Sequence, residues 1–209
     1  MKRKIIVKVL YAVLAIVVMM PAPLWAQGTQ TPLTFQKPYY AMLKLGEYLP
    51  ETSDLSNQNM GNGFAGQVAF GYYPIPYVAV EGGVGYFESK GNVSGVDRKF
   101  NAWPWEISGR LVLPIAFLEP YLLAGGGVYF TRAEIGGLGR DSVQFGYFGG
   151  GGLNFNLGKT YFVGIEAKYL VLKIPIYVPT ATPVGTTTVT DTSINFDGVM
   201  VTGNFGVRW

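Results

Sequence analysis

The sequence runs to 209 residues with 16 lysines and arginines, 13 aspartates and glutamates, and neither histidine nor cysteine. That composition excludes a disulfide scaffold and a Cys/His metal site, and it leaves no imidazole to act as a general base near neutrality. Charged residues make up only 14% of the chain, beside 15% aromatics and 29 glycines, whereas a water-facing surface carries about 25–35% charge.

Taken in order, Lys2, Arg3, Lys4 and Lys8 introduce an apolar run of twelve from Val9 to Met20, followed by Pro21, Pro23 and Leu24-Trp25-Ala26. A basic start, an apolar stretch and a small residue at its end predict a secretory signal peptide over residues 1–26. The run falls short of the roughly 18 residues a spanning helix needs. Residues 27–209 then form one domain, and since four cations and no acids leave with the targeting segment, its net charge is −1. The basic balance belongs to export, so no nucleic-acid partner is expected.

Eight alternating segments follow, at about 38–46, 63–73, 77–88, 101–113, 121–132, 142–155, 160–173 and 198–209. In the second, Phe64, Val68, Phe70 and Tyr72 share one parity, and Ala65, Gln67, Ala69 and Gly71 the other. The fourth sets Trp103, Trp105, Ile107, Leu111 and Leu113 against Glu106, Ser108 and Arg110, and the seventh sets Tyr161, Val163, Ile165, Ala167, Tyr169 and Val171 against Gly164, Glu166 and Lys168. Period two is the signature of strands with two unlike faces. The fifth is ambiguous, because Leu122-Leu123 and Gly125-Gly126-Gly127 blur the phase. Pro104 is expected near the end of its segment, where a lost ladder hydrogen bond is tolerated.

The connections alternate in length. Residues 47–62, 89–100, 133–141 and 174–197 are long and polar; Pro74-Ile75-Pro76, Pro114 to Pro120 and Asn156 to Lys159 are short. An up-and-down barrel with both termini on one side of a membrane predicts this pattern. The last long link, with Pro175, Pro179, Pro183 and seven threonines between Thr180 and Thr192, reads as a solvated outer loop, with a binding loop as the functional alternative.

Alternation alone does not say which face meets lipid, since a soluble carrier barrel that buries its apolar face has the same parity. The polar parity, mostly small residues with one or two charges per strand, suits a narrow interior. Aromatics gather at segment ends, Tyr72, Phe155, Tyr161 and Trp209 toward one rim and Tyr86, Trp103, Trp105 and Tyr169 toward the other, which predicts interfacial girdles. Both point to an all-β, eight-stranded antiparallel transmembrane barrel.

The final stretch alternates Val199, Val201, Gly203, Phe205, Val207 and Trp209 with Met200, Thr202, Asn204, Gly206 and Arg208. It resembles the C-terminal strand of bacterial outer-membrane barrels, in which a terminal aromatic and alternate apolar residues are read by the assembly machinery; that family usually ends in Phe. On this basis, and on passages such as Gly71-Tyr72-Tyr73-Pro74-Ile75-Pro76-Tyr77-Val78-Ala79-Val80-Glu81, residues 27–209 resemble the small outer-membrane β-barrel family that includes the OmpA transmembrane domain and porin-family barrels. The resemblance implies an integral outer-membrane location, outer-membrane lipids as surroundings, and periplasmic chaperones and the barrel-assembly machinery as transient partners. It makes Val201, Phe205, Val207 and Trp209 the assembly signal. The end at Trp209 leaves a periplasmic wall-binding domain unexpected.

Seven charges fall on the interior parity: Lys44, Glu81, Glu106, Arg110, Glu166, Lys168 and Arg208. An eight-stranded barrel is about wide enough for its own side chains, and buried charges must be paired, so a salt-bridged network closing the lumen is expected. A narrow or gated path for ions or small solutes is the alternative. Gly149 to Gly152 with Gly158-Lys159-Thr160 imitates a phosphate loop, but Leu153 stands where its first glycine belongs and no helix follows. These glycines read as sites of close backbone approach or strand curvature, with a lipid-accessible groove between the fifth and sixth strands as the alternative. Asn92-Val93-Ser94 matches a glycosylation triplet that carries little weight in a bacterial barrel. No enzymatic role, cofactor or metal is expected.

Overall fold

The structure, a computed structural model, describes residues 36–51, 61–93, 96–135, 138–181 and 187–209. The signal-peptide segment 1–26 and residues 52–60 of the first long link lie outside the described residues. Among the described residues nine strands run in chain order: β1 (Tyr39–Pro50), β2 (Gly63–Ile75), β3 (Val78–Val93), β4 (Val96–Val112), β5 (Leu118–Ile135), β6 (Leu138–Leu157), β7 (Tyr161–Ala181), β8 (Thr187–Asn195) and β9 (Gly198–Arg208). Every pairing is antiparallel, each strand from β1 to β7 meeting its successor and β9 lying between β7 and β1. Eight strands therefore close on themselves, which removes every edge from the wall. Closure is completed where Tyr39 N–H donates to the Trp209 carbonyl at 3.3 Å and Trp209 N–H to the Tyr39 carbonyl at 3.1 Å.

The faces divide by parity. Along β4, Ala102, Pro104, Glu106, Ser108, Arg110 and Val112 are buried, while Trp103, Trp105, Ile107, Gly109 and Leu111 are exposed. In β5 the blurred phase resolves with Tyr121, Leu123 and Tyr129 inward and Ala124 and Phe130 outward. Large apolar side chains thus cover the outside, and the packed interior holds polar and aromatic groups, the reverse of a soluble barrel. No helix among the described residues is long and apolar enough to cross a membrane; the crossing is by strands.

One end of the barrel carries tight turns. Pro76 and Tyr77 join β2 to β3, residues 113–117 join β4 to β5, and residues 158–160 join β6 to β7, with Gly158 at φ 78°. Ala116 takes φ 53°, a left-handed conformation that glycine more often fills. At the other end the described parts of three links expected as long polar loops extend the ladders as paired strands. Between β3 and β4 the ladder continues to Val93↔Val96, and between β5 and β6 to Ile135↔Leu138. In the threonine-rich link 174–197 the described residues form a ladder: β7 outlasts the barrel and pairs with β8 from Lys173↔Asn195 to Ala181↔Thr187, and residues 182–186 lie outside the described residues. The β-branched residues of these two strands favour extended backbone.

Pro104 corrects a second expectation. It sits in the middle of β4, not near its end. The β3–β4 ladder passes from Val84↔Trp105 to Phe87↔Ala102 without pairs between and resumes in unchanged register. Proline has no N–H to offer there, and the two pairs between, Gly85 with Pro104 and Tyr86 with Trp103, are lost while the strand continues.

Candidate functional site: the lumen and its charge network

Interior charges meet in three layers between the turn end and the hairpin end. Nearest the turns, the Arg208 guanidinium of β9 grips both carboxylate oxygens of Glu119 on β5, Nη1 donating to Oε1 at 2.9 Å and Nη2 to Oε2. Asn156 closes this fork, accepting from Arg208 at 3.0 Å and donating to Glu119 at 2.9 Å. The Phe162 ring lies 4.6 Å beneath the guanidinium. Two parallel bonds between planar groups give the strongest and most oriented of protein ion pairs.

The middle layer joins four strands. Lys44 Nζ lies 2.8 Å from Glu81 and 3.0 Å from Glu166, and Arg110 spans the same two acids, with Nε 2.9 Å from Glu81 and Nη2 2.6 Å from Glu166. Each carboxylate thus touches both cations. Tyr40 donates to Glu81 and Tyr121 to Glu166, both at 2.9 Å, and Asn204 donates to the Tyr121 hydroxyl at 3.3 Å. Arg110 also rests 4.4 Å over the Tyr121 ring, a cation–π contact in a desolvated setting.

In the third layer Lys168 meets Glu106 at 2.5 Å, and Glu106 also accepts from Gln67 and Tyr129, each at 2.7 Å. All eight charged groups are at least nine-tenths buried. Such groups are tolerated only when their charges and hydrogen-bonding capacity are matched. Among the described residues the charges are matched, four cations, Lys44, Arg110, Lys168 and Arg208, facing four acids, Glu81, Glu106, Glu119 and Glu166, while Nε of Arg110 and of Arg208 donates no hydrogen bond.

Aromatic side chains close the lumen toward the hairpins. Tyr48, Phe87, Phe100, Tyr129 and Phe196 are all buried, with ring centres 4.8 Å apart for Tyr48 and Phe87 and 4.1 Å for Phe100 and Phe196. Between these layers little space remains. The gap enclosed by Lys44, Gln67, Glu81, Glu106 and Lys168 has no room for a water molecule. The one beneath Phe87, beside Thr202 and Met200, holds about 20 Å³, enough for about one.

Sequence parity named seven of the eight charges; the structure brings them together and adds Glu119. That residue hides beside Pro120 in what reads as a turn, yet it is in phase with Tyr121 and Leu123 at the start of β5. The surplus of four interior cations over three acids was the available signal. The interior aromatics were also missed, although Phe87 shares the parity of Glu81 and Gly83.

The glycines of β6 make room inside the wall. A Cβ at Gly152 would lie 2.4 Å from the Tyr121 hydroxyl oxygen, and one at Gly150 would meet the Lys168 backbone at 2.6 Å. Aromatic rings likewise lie over cross-strand glycines where Tyr40 faces Gly71 and Phe162 faces Gly206. The β5–β6 ladder is unbroken from Leu118↔Phe155 to Ile135↔Leu138, so no opening lies between those strands. A groove of about 700 Å³ does lie on the outer face, bounded by Phe70, Val84, Trp105, Ile107 and Phe145 across β2 to β6.

The other named residues lie on the outer face. Tyr72, Tyr161 and Trp209 are exposed and Phe155 half-buried toward the turn end, where Tyr39 stacks on Tyr72 at 5.1 Å and on Trp209 at 6.5 Å. Trp103 and Trp105 are exposed, and Tyr86 and Tyr169 half-buried, toward the hairpins. Of the terminal strand, Val201, Phe205 and Trp209 are exposed and Val207 half-buried. Among the described residues, no group of carboxylates is placed to hold a metal ion.

An apolar exterior, a charge-matched interior and complete closure define a membrane-spanning β-barrel. The family description "outer membrane protein beta-barrel domain" matches residues 12–206. The chain belongs to that family and is an integral protein of the outer membrane. Among solved structures it is similar to the neisserial surface protein A, with 16% identity and a TM-score of 0.56 over 82% of this chain and 97% of that one. It is also similar to the outer membrane protein OprG of Pseudomonas aeruginosa, with 13% identity and a TM-score of 0.58 over 83% and 97%. At these identities the likeness is one of fold. No curated protein matches the sequence.

Proposed function

We propose that the protein is a structural, non-enzymatic component of the outer membrane whose lumen is closed by its own side chains and whose outer hairpins face the surroundings. The observation that carries this reading is the balance of four buried cations by four buried acids, each cation in contact with a carboxylate from another strand. A conducting pore has no use for so complete a neutralisation, whereas a barrel stabilised from within requires it. A narrow, gated path for ions or small solutes is the second reading, favoured by the polar column that runs from Arg208 to Lys168.

In the same reading residues 1–26 direct export, and Val201, Phe205, Val207 and Trp209 present the terminal strand to chaperones and the assembly machinery. The aromatic rows settle the barrel among outer-membrane lipids. Deleting the gene tests the role. Cells lacking the protein should become sensitive to detergents with no change in uptake of small nutrients. A growth defect confined to one small solute, with the detergent barrier intact, would favour the pore.

A further inference from the structure

Phe196 and Asp197 form the joint between β8 and β9 and belong to neither ladder. The Phe196 ring enters the barrel mouth and stacks on Phe100 at 4.1 Å with 25° between planes, and Phe100 adjoins Phe87 at 6.0 Å. Four hydrogen bonds hold this joint. Tyr48 Oη donates to the Phe196 carbonyl at 2.8 Å, Phe196 N–H to the Leu172 carbonyl at 2.7 Å, Glu51 N–H to the Asp197 carbonyl at 3.0 Å, and Leu172 N–H to the Asp197 carboxylate at 3.1 Å. The first rung of the β7–β8 hairpin, Lys173↔Asn195, is immediately adjacent.

We propose that Phe196 is a hinged upper seal, a cap of apolar contacts in series with the ionic layers below, carried at the root of the β7–β8 hairpin so that displacement of that arm can lift it. The proposal rests on the closed-lumen reading above and adds a second barrier of different chemistry. Parting the ion pairs below would leave buried charges unmatched, which is costly. A ring on the joint can swing out while every rung of the eight-stranded closure stays in place. Lifting the ring alone therefore wets the space above Lys168 and opens no path through the barrel.

The chain has no cysteine, so a single Thr202→Cys substitution reports on the space beneath the cap, where Thr202 lies beside Met200 and Lys168. The measurement is the rate at which a small charged thiosulfonate modifies this cysteine in the folded, detergent-solubilised barrel. Adding Phe196→Ala should accelerate the reaction by about tenfold or more. Tyr48→Phe, which keeps the ring and removes only one tie to the joint, should accelerate it by a smaller factor. Phe196→Ala alone should remain non-conducting in planar bilayers. Unchanged rates in both variants, a parent cysteine already as reactive as a surface one, or steady conductance from Phe196→Ala alone would each overturn the cap. Steady conductance by the unaltered protein would instead defeat the closed-lumen reading on which the cap rests.

Discussion

Removing the Glu119 carboxylate leaves Arg208 charged, buried and short of its two-pronged acceptor, while the Phe162 ring beneath cannot replace it. Glu119→Gln should therefore destabilise the barrel by about 3–5 kcal/mol, read from urea unfolding in lipid or detergent. Replacing both partners at once, Glu119→Leu with Arg208→Met, should cost much less, because no orphan charge remains. A Glu119→Gln cost below about 1 kcal/mol would mean that water reaches Arg208 and that the lower lumen is open. Two glycines of β6 provide a second residue-scale test. Gly152→Ala should cost about 1–3 kcal/mol, since the new methyl meets both the Ile165 carbonyl oxygen and the Tyr121 hydroxyl at 2.4 Å and displaces Tyr121 from Glu166. Gly149→Ala, whose Cβ finds its nearest neighbour at 3.9 Å, should stay within about 0.5 kcal/mol. Equal costs would contradict the close approach that Gly152 allows inside the wall. Parity alone made the seven charges legible, because a side chain's face follows from its place in the count. Glu119 was illegible because Pro120 imitates a turn, and the fit of Tyr121 over Gly152 because it depends on register between strands, which no single segment records.

Strand alternation made seven of the eight barrel strands plain and the eighth visible through a blurred phase, since each needs one apolar face for lipid. Where each strand stops was less legible. Polar residues after Glu88 or Arg132 signal only that lipid has ended, and an antiparallel ladder can continue into water by the same hydrogen bonds. The three hairpin extensions arise in this way, and β8 with them. Pro104 teaches the converse, that a residue unable to donate can sit inside a strand if the ladder on one side is interrupted there. Because β8 pairs only with the upper part of β7, the hairpin arm is a separable unit. Replacing residues 176–192 by a short turn should leave the boiled-versus-unboiled mobility shift of the barrel intact and change its unfolding free energy by no more than about 1 kcal/mol. Loss of the shift would show that the arm is needed for closure.

At the scale of the molecule, an apolar outside and a neutralised inside are two consequences of one constraint. Lipid cannot satisfy backbone or charge, so the wall closes and the ions pair within it. Layer upon layer, Arg208 with Glu119, Lys44 and Arg110 with Glu81 and Glu166, and Lys168 with Glu106, the pairs occupy the cross-section that a pore would need. The aromatic ring of Phe196 and its neighbours then shuts the hairpin end. The most direct measurement of this arrangement is the current through single copies of the unaltered protein in a planar lipid bilayer at neutral pH. A silent membrane, with insertion confirmed by the heat-dependent gel shift of the recovered protein, is the predicted result. A large, steady conductance from the folded barrel would contradict it.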